Sequence, residues 1–184
     1  ISFTAKRRSF AGTPWTGQPL AGKSILVYAE QGFGDTIQFA RYLPLIAEQA
    51  DKVVFECQKA LMQLCSNLDG VTQLVARGEP LPETDYHVPL MSLPHRMAET
   101  VGPVPIVTRY LRPACAAAES FRQRLQTGKP SVGLVWSGNP DRQDDWMRSC
   151  PPALMRPLLD QHNYEFVSLQ FGTPPNELSP EILD

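Results

Sequence analysis

The sequence predicts an α/β protein: a Rossmann-like doubly wound parallel sheet, followed by the beginning of a second Rossmann-like half. Three observations carry this. Short apolar runs of strand length recur at Ser24–Ala29 and Lys52–Cys57, as in strands covered on both faces. Segments of helical spacing separate them in a β-α-β-α-β order. After Gly128 and Pro130 the alternation restarts at Ser131.

Residues 1–22 mix basic, aromatic and turn residues without periodicity and read as an irregular arm that Trp15 packs onto the body, because a lone exposed indole leaves much apolar area in water. Ser24–Ala29 is the first strand. Glu30–Asp35 is a turn with two glycines, and Ile37, Ala40, Leu43 and Ala47 mark one face of a helix over 36–50, with a kink or an early end at Pro44. Lys52–Cys57, a helix over 59–68 and a strand over 72–76 complete the run. Tyr86–Val88 reads as another short strand, 92–100 as a short helix and 102–110 as a proline-rich loop. A helix over 114–126 stops at Gly128 and Pro130. Then come a strand over 131–136, a turn over 137–140, a helix over 152–161 and a strand over 164–169. The predicted division is an arm (1–22), a first domain (23–127) and the start of a second (128–184), whose two strands are few for a finished sheet.

Composition narrows the function classes. The 184 residues carry 17 Lys and Arg against 19 Asp and Glu, a formal charge of −2 with no long basic run, which argues against an electrostatic grip on nucleic acid or an anionic membrane. The longest apolar stretches fall far short of the roughly 18–20 residues of a membrane span. Proline, 18 of 184 residues, is about twice as frequent as usual and sits in the connections, which predicts defined loops. Cys57, Cys65, Cys115 and Cys150 form no CxxC pair. Cys57 and Cys65 read as buried free thiols, and a reducing, cytoplasmic setting is the expectation. The chain starts at Ile1 without a signal-peptide pattern, which reads as a processed form or a fragment.

Two turns at carboxyl ends of strands are the places where such a sheet binds ligands. In Gly32-Phe33-Gly34-Asp35-Thr36 the glycines admit close backbone approach and Asp35 stands at the mouth; on spacing alone, a cap on the following helix through Asp35 or Thr36 is the favoured reading. In Trp136-Ser137-Gly138-Asn139-Pro140, with Arg142 and Arg148 downstream, hydroxyl, amide and guanidinium groups suit a phosphate. A solvated loop with Arg148 paired to Asp144 or Asp145 is the plainer alternative. Neither GxGxxG nor GxxxxGK[ST] occurs, and Glu56 is followed by Cys57 and Gln58 without the dinucleotide fingerprint, which disfavours other nucleotide-binding enzymes. His87, His95 and His162 lack ligand spacing and read as surface or packing histidines, and there is no Gly-x-Ser-x-Gly.

The strings Trp15–Leu26, Glu30–Pro44, Val132–Pro140, Arg148-Ser149 and Phe166–Gln170 resemble the glycosyltransferase-like region that follows tetratricopeptide repeats in many bacterial proteins. That region is distantly similar to the heptosyltransferase family. The resemblance implies a GT-B architecture, with the acceptor mostly on the first half and a nucleotide-diphosphate-sugar mostly on the second. It implies inverting, metal-independent glycosyl transfer without a cofactor. Asp35 would be the general base on a saccharide or protein acceptor, in a turn shaped by Gly32, Gly34 and Thr36. Ser137, Gly138, Asn139 and Arg148 would meet the donor phosphates. No repeats precede the match within the chain, although they are possible partners upstream, and the donor half is shorter than in those families. A non-catalytic binding or scaffolding module that keeps the fold is the alternative.

Overall fold

Alternation of side chains along each strand sorts the sheet into two differently covered faces. In the computed structural model, which describes residues 8–98, 109–112, 115–125, 128–138 and 143–170, the chain groups into two units, Ile1–Ala114 and Cys115–Asp184. The helix Cys115–Arg124 therefore groups with the second unit, whereas the sequence reading placed it at the end of the first.

The first unit holds a five-stranded parallel sheet of β1 (Thr13–Pro14), β2 (Ser24–Tyr28), β3 (Lys52–Cys57), β4 (Gln73–Ala76) and β5 (Tyr86–Pro89), in the order β1-β5-β2-β3-β4. The fold class is α/β with a Rossmann-like sheet, as the strand runs predict. From β2 the chain steps outward through β3 to β4, then returns to pair β5 with the other side of β2. The strand order thus reverses between β2 and β5, the switch point of a doubly wound sheet.

Ile25, Val27, Val53, Phe55 and Val88 point to one face, where they are sealed by Leu43 and Ile46 of α2 (Leu43–Ala47), Cys65 of α3 (Met62–Cys65) and Leu93 of α4 (Leu93–Arg96). The opposite face, carrying Leu26, Val54 and Val75, packs against Phe10 of the arm and Leu81 of the β4–β5 connection.

The predicted helix over 36–50 is three pieces: α1 (Phe33–Phe39), a 3-10 turn (Ala40–Tyr42) and α2. Pro44, at the start of α2, has no N–H to continue a ladder from α1. Similar 3-10 turns precede α3 and α4, and both helices are shorter than the spacing predicts. Gly70 is required twice over: its φ is +79°, and a Cβ there would lie 2.3 Å from the Cβ of Ala47, so α2 and the α3–β4 turn meet only at glycine.

Part of the arm is a strand. Thr13 and Trp15 donate their N–H groups to the carbonyls of Asp85 and His87 at 3.0 and 2.9 Å, and Trp15 is buried with its indole N–H on the Gln18 carbonyl at 2.8 Å. The sequence anchors the arm through Trp15 but gives no alternation over two residues from which to read β1. Cys57 and Cys65 are buried and free. The expected loop over 102–110 lies largely outside the described residues.

The second unit pairs β6 (Ser131–Leu134) with β7 (Glu165–Ser168), parallel, over a small cluster of Leu134, Trp136 and Phe166. Between them the expected helix over 152–161 is a 3-10 turn (Pro152–Met155) and one helical turn (Arg156–Leu159). No helix among the described residues is long and apolar enough to cross a membrane.

Candidate functional site

The turn after β2 is built around Gly32. Helix α1 begins at Phe33, so Asp35 is its third residue and lies inside the first turn, not before it. The Asp35 carboxylate accepts the Gly32 N–H through Oδ2 at 3.1 Å, the capping role that the sequence allowed. Oδ1 makes no hydrogen bond among the described residues. Thr36 is buried, with its hydroxyl 3.1 Å from the Gly32 carbonyl and 3.0 Å from Gln58 Oε1. Gln58 in turn donates through Nε2 to the Gln31 carbonyl at 2.8 Å. Neither Gly32 nor Gly34 has a positive φ, and a Cβ at Gly34 would meet nothing within 4 Å. The two glycines therefore leave the approach to the turn open; the backbone does not demand them.

On the other side of the β2 end lies a cavity of about 680 Å³. It opens at the β2/β5 switch point, where Tyr28 ends β2 with Ala29 and Glu30 just beyond it, and Val88 and Pro89 end β5 with Ser92 just beyond them. Arg8, Arg77, His87 and Arg96 also line it. Arg8 crosses from the arm to hold Glu56, wholly buried on β3, with two guanidinium contacts of 2.5 and 2.7 Å. Arg77, just after β4, donates to the Ala29 carbonyl. Glu30 Oε1 accepts the Met91 N–H at 3.2 Å, while Oε2 is buried without a partner. Burial pushes the Glu30 carboxyl up, against the Glu30, Met91 and Leu90 amides and the Arg77 charge that hold it down. His87, ringed by Phe10 and Tyr28, has an unpartnered buried Nδ1 and a pKa lowered by burial.

Sequence reasoning passed over Glu30, Arg77 and Arg96; His87, read as a surface or packing histidine, does pack against Phe10 and Tyr28 and also lines the cavity. Only Glu30, directly beyond a predicted strand, carried a signal; the others converge because the chain returns from β4 to β5.

In the second unit the turn after β6 closes on itself. Gln170 Oε1 accepts the Trp136 and Ser137 N–H groups at 3.0 and 2.9 Å, and its Nε2 donates to the Ser137 carbonyl at 3.2 Å. The Gly138 N–H goes to Ser149 Oγ at 2.9 Å, which donates to Asp145 Oδ2 at 2.7 Å. A Cβ on Gly138 would sit 2.4 Å from Asp145 Oδ1, so glycine lets the carboxylate approach. Arg148 is exposed and forms no ion pair with Asp144 or Asp145. Asn139 and Arg142 lie outside the described residues. Among the described residues no group of three or more His, Cys, Asp or Glu side chains is placed to hold a metal ion.

Comparison with known proteins adds one relative. The chain is similar to Protein FlbA of Caulobacter vibrioides, 26% identical over 195 aligned positions that cover 95% of this chain and 33% of that protein. It thus spans about a third of the length of the curated relative it matches. No family model matches the chain, and no solved structure matches it.

Proposed function

We propose that this chain forms the acceptor side, and the start of the donor side, of an inverting glycosyltransferase that uses a nucleotide-diphosphate-sugar without a metal. The reading rests on one observation: a carboxylate that follows two glycines, Asp35 in the first turn of α1 beyond the carboxyl end of a parallel strand, with one oxygen fixed by the Gly32 N–H and the other unengaged among the described residues. Inverting transfer needs such a group. The acceptor hydroxyl loses its proton to the carboxylate as its oxygen attacks the anomeric carbon, while the nucleoside diphosphate departs from the opposite side. A carboxylate held by one oxygen is already oriented, which removes part of the ordering cost at the transition state.

The test is transfer or hydrolysis of nucleotide-sugars by the longest protein that the gene encodes. Asp35→Asn is expected to lower kcat by about 10²–10⁴, the usual worth of a general base, with little change in donor or acceptor affinity. Wild-type turnover in Asp35→Asn removes the residue from the chemistry.

The second reading, a non-catalytic module, is favoured by a different observation. The Ser137 and Gly138 amides, which would meet a donor phosphate, are already paired with Gln170 and Ser149, and the carboxylate of Asp145 lies against Gly138. A phosphate would have to displace these bonds and meet a like charge. That reading predicts no binding of nucleoside diphosphates by the longest encoded protein, and partner binding indifferent to Arg148→Ala.

A further inference from the structure

The geometry points to the cavity at the β2/β5 switch point as a binding site for a small hydroxylated anion, a sugar that carries one carboxylate or phosphate. Place, size and charge each support this.

The place is the crevice where strand order reverses, the position at which open parallel sheets leave room for a ligand between neighbouring loops. Its volume of about 680 Å³ is in the range of pockets that enclose small ligands and is generous for one sugar ring.

The charge is unbalanced in favour of an anion. Arg8 is already matched by Glu56. Arg77 and Arg96 line the cavity, both exposed and neither in an ion pair among the described residues. Among the described residues that line it, Glu30 alone opposes them. With Glu30 ionised one positive charge remains over, and with Glu30 protonated two do. An entering carboxylate or phosphate satisfies the guanidinium groups with charge-assisted hydrogen bonds.

The need for hydroxyls comes from the walls. Glu30 Oε2 and His87 Nδ1 are buried without hydrogen-bond partners, and unsatisfied buried polar atoms cost free energy that a ligand hydroxyl, which both donates and accepts, recovers once the wall adjusts to admit it. The Tyr28 ring and Pro89 supply apolar surface for the C–H face of a ring. A bare inorganic anion uses the arginines and leaves the rest of the wall unmet.

The experiment needs neither donor nor turnover, so its failure and that of the transferase reading are separable. The chain is titrated calorimetrically with glucuronate, glucose 6-phosphate and glucose, and backbone amide NMR shifts locate the bound probe. At least one of the two anions should bind at least about tenfold more tightly than glucose, since charge pairing separates them. Its shifts should centre on Tyr28–Glu30 and Val88–Ser92, and Arg96→Ala, at an exposed position that the fold does not depend on, should weaken binding at least about tenfold. Tighter glucuronate assigns a sugar acid, and tighter glucose 6-phosphate a sugar phosphate. Binding no tighter than that of glucose overturns the proposal, as do shifts centred elsewhere or wild-type affinity in both Arg77→Ala and Arg96→Ala.

Discussion

Asp35 has two jobs open to it, and substitutions separate them. The asparagine oxygen of Asp35→Asn still accepts the Gly32 N–H, so the folded chain should be nearly as stable as wild type while losing the base. Asp35→Ala removes the acceptor and the first-turn negative charge, and should cost about 0.3–1 kcal/mol in denaturant unfolding. Equal stability of Asp35→Ala and wild type would mean that the contact at 3.1 Å contributes nothing to the fold. Glu30 gives a pH-dependent counterpart. Its folded pKa lies above its usual 4.5 because it is buried, so the native state binds its proton more readily than the unfolded chain does. Its contribution is fully present below about 4.5 and is lost as pH rises through the raised folded value. Glu30→Gln should therefore raise the unfolding midpoint at pH 7 and leave it unchanged near pH 4. A midpoint lowered at pH 7 would show that the ionised carboxylate on Met91 stabilises the fold.

At the scale of elements, one exposed aspartate fastens the amino ends of β2 and β5. Asp85 accepts the Ser24 N–H and hydroxyl at 2.9 and 2.7 Å and the Lys23 ammonium at 3.2 Å. These bonds, the Ser24 N–H foremost, hold its carboxyl down at about 2 against a usual 3.8. A depressed folded pKa stabilises above the unfolded value and loses that contribution as pH falls toward the folded one. The stability gap between wild type and Asp85→Asn should be full at pH 6 and should shrink between about pH 4 and pH 2. Carboxyl NMR that shows Asp85 titrating near 4 would remove this fastening. The same element scale explains why helices here are short. Pro44 and Pro94 each stand at the second position of a helix that follows a 3-10 turn, where the missing N–H costs nothing but the preceding ladder cannot run through.

For the whole molecule, the two units differ in what they bury. The first encloses a continuous core around Ile25, Val27, Val53 and Phe55, none more than 1% exposed; among the described residues the second has four buried apolar side chains, Leu134, Trp136, Phe166 and Val167, over a single strand pair. Isolated strand pairs are marginal in water. Amides of β2 and β3 should exchange with solvent orders of magnitude more slowly than those of β6 and β7, measured by hydrogen exchange on the whole chain. Equal protection in both sheets would contradict this difference in burial.

The strands of the sheet were legible because buried parallel strands need runs of branched and aromatic residues, and β2, β3, β6 and β7 lie inside the runs read from sequence. Asp35 was legible as a candidate, and so was its cap, because both follow from spacing along one turn. Trp15 announced that the arm is packed, since an indole that size has to be covered. Helix ends were less legible, because α1 starts at Phe33, four residues before its periodic apolar face begins at Ile37, and 3-10 turns leave no distinct spacing. What tertiary structure alone decided is the cavity. Arg77, His87 and Arg96 sit on separate segments, and they meet Glu30 only because the chain crosses from β4 to the far side of β2 before pairing as β5. Local sequence fixes which segments are strands through the burial each side chain needs. The order in which strands pair, and hence which charges face one another, is set by contacts between residues far apart in the chain.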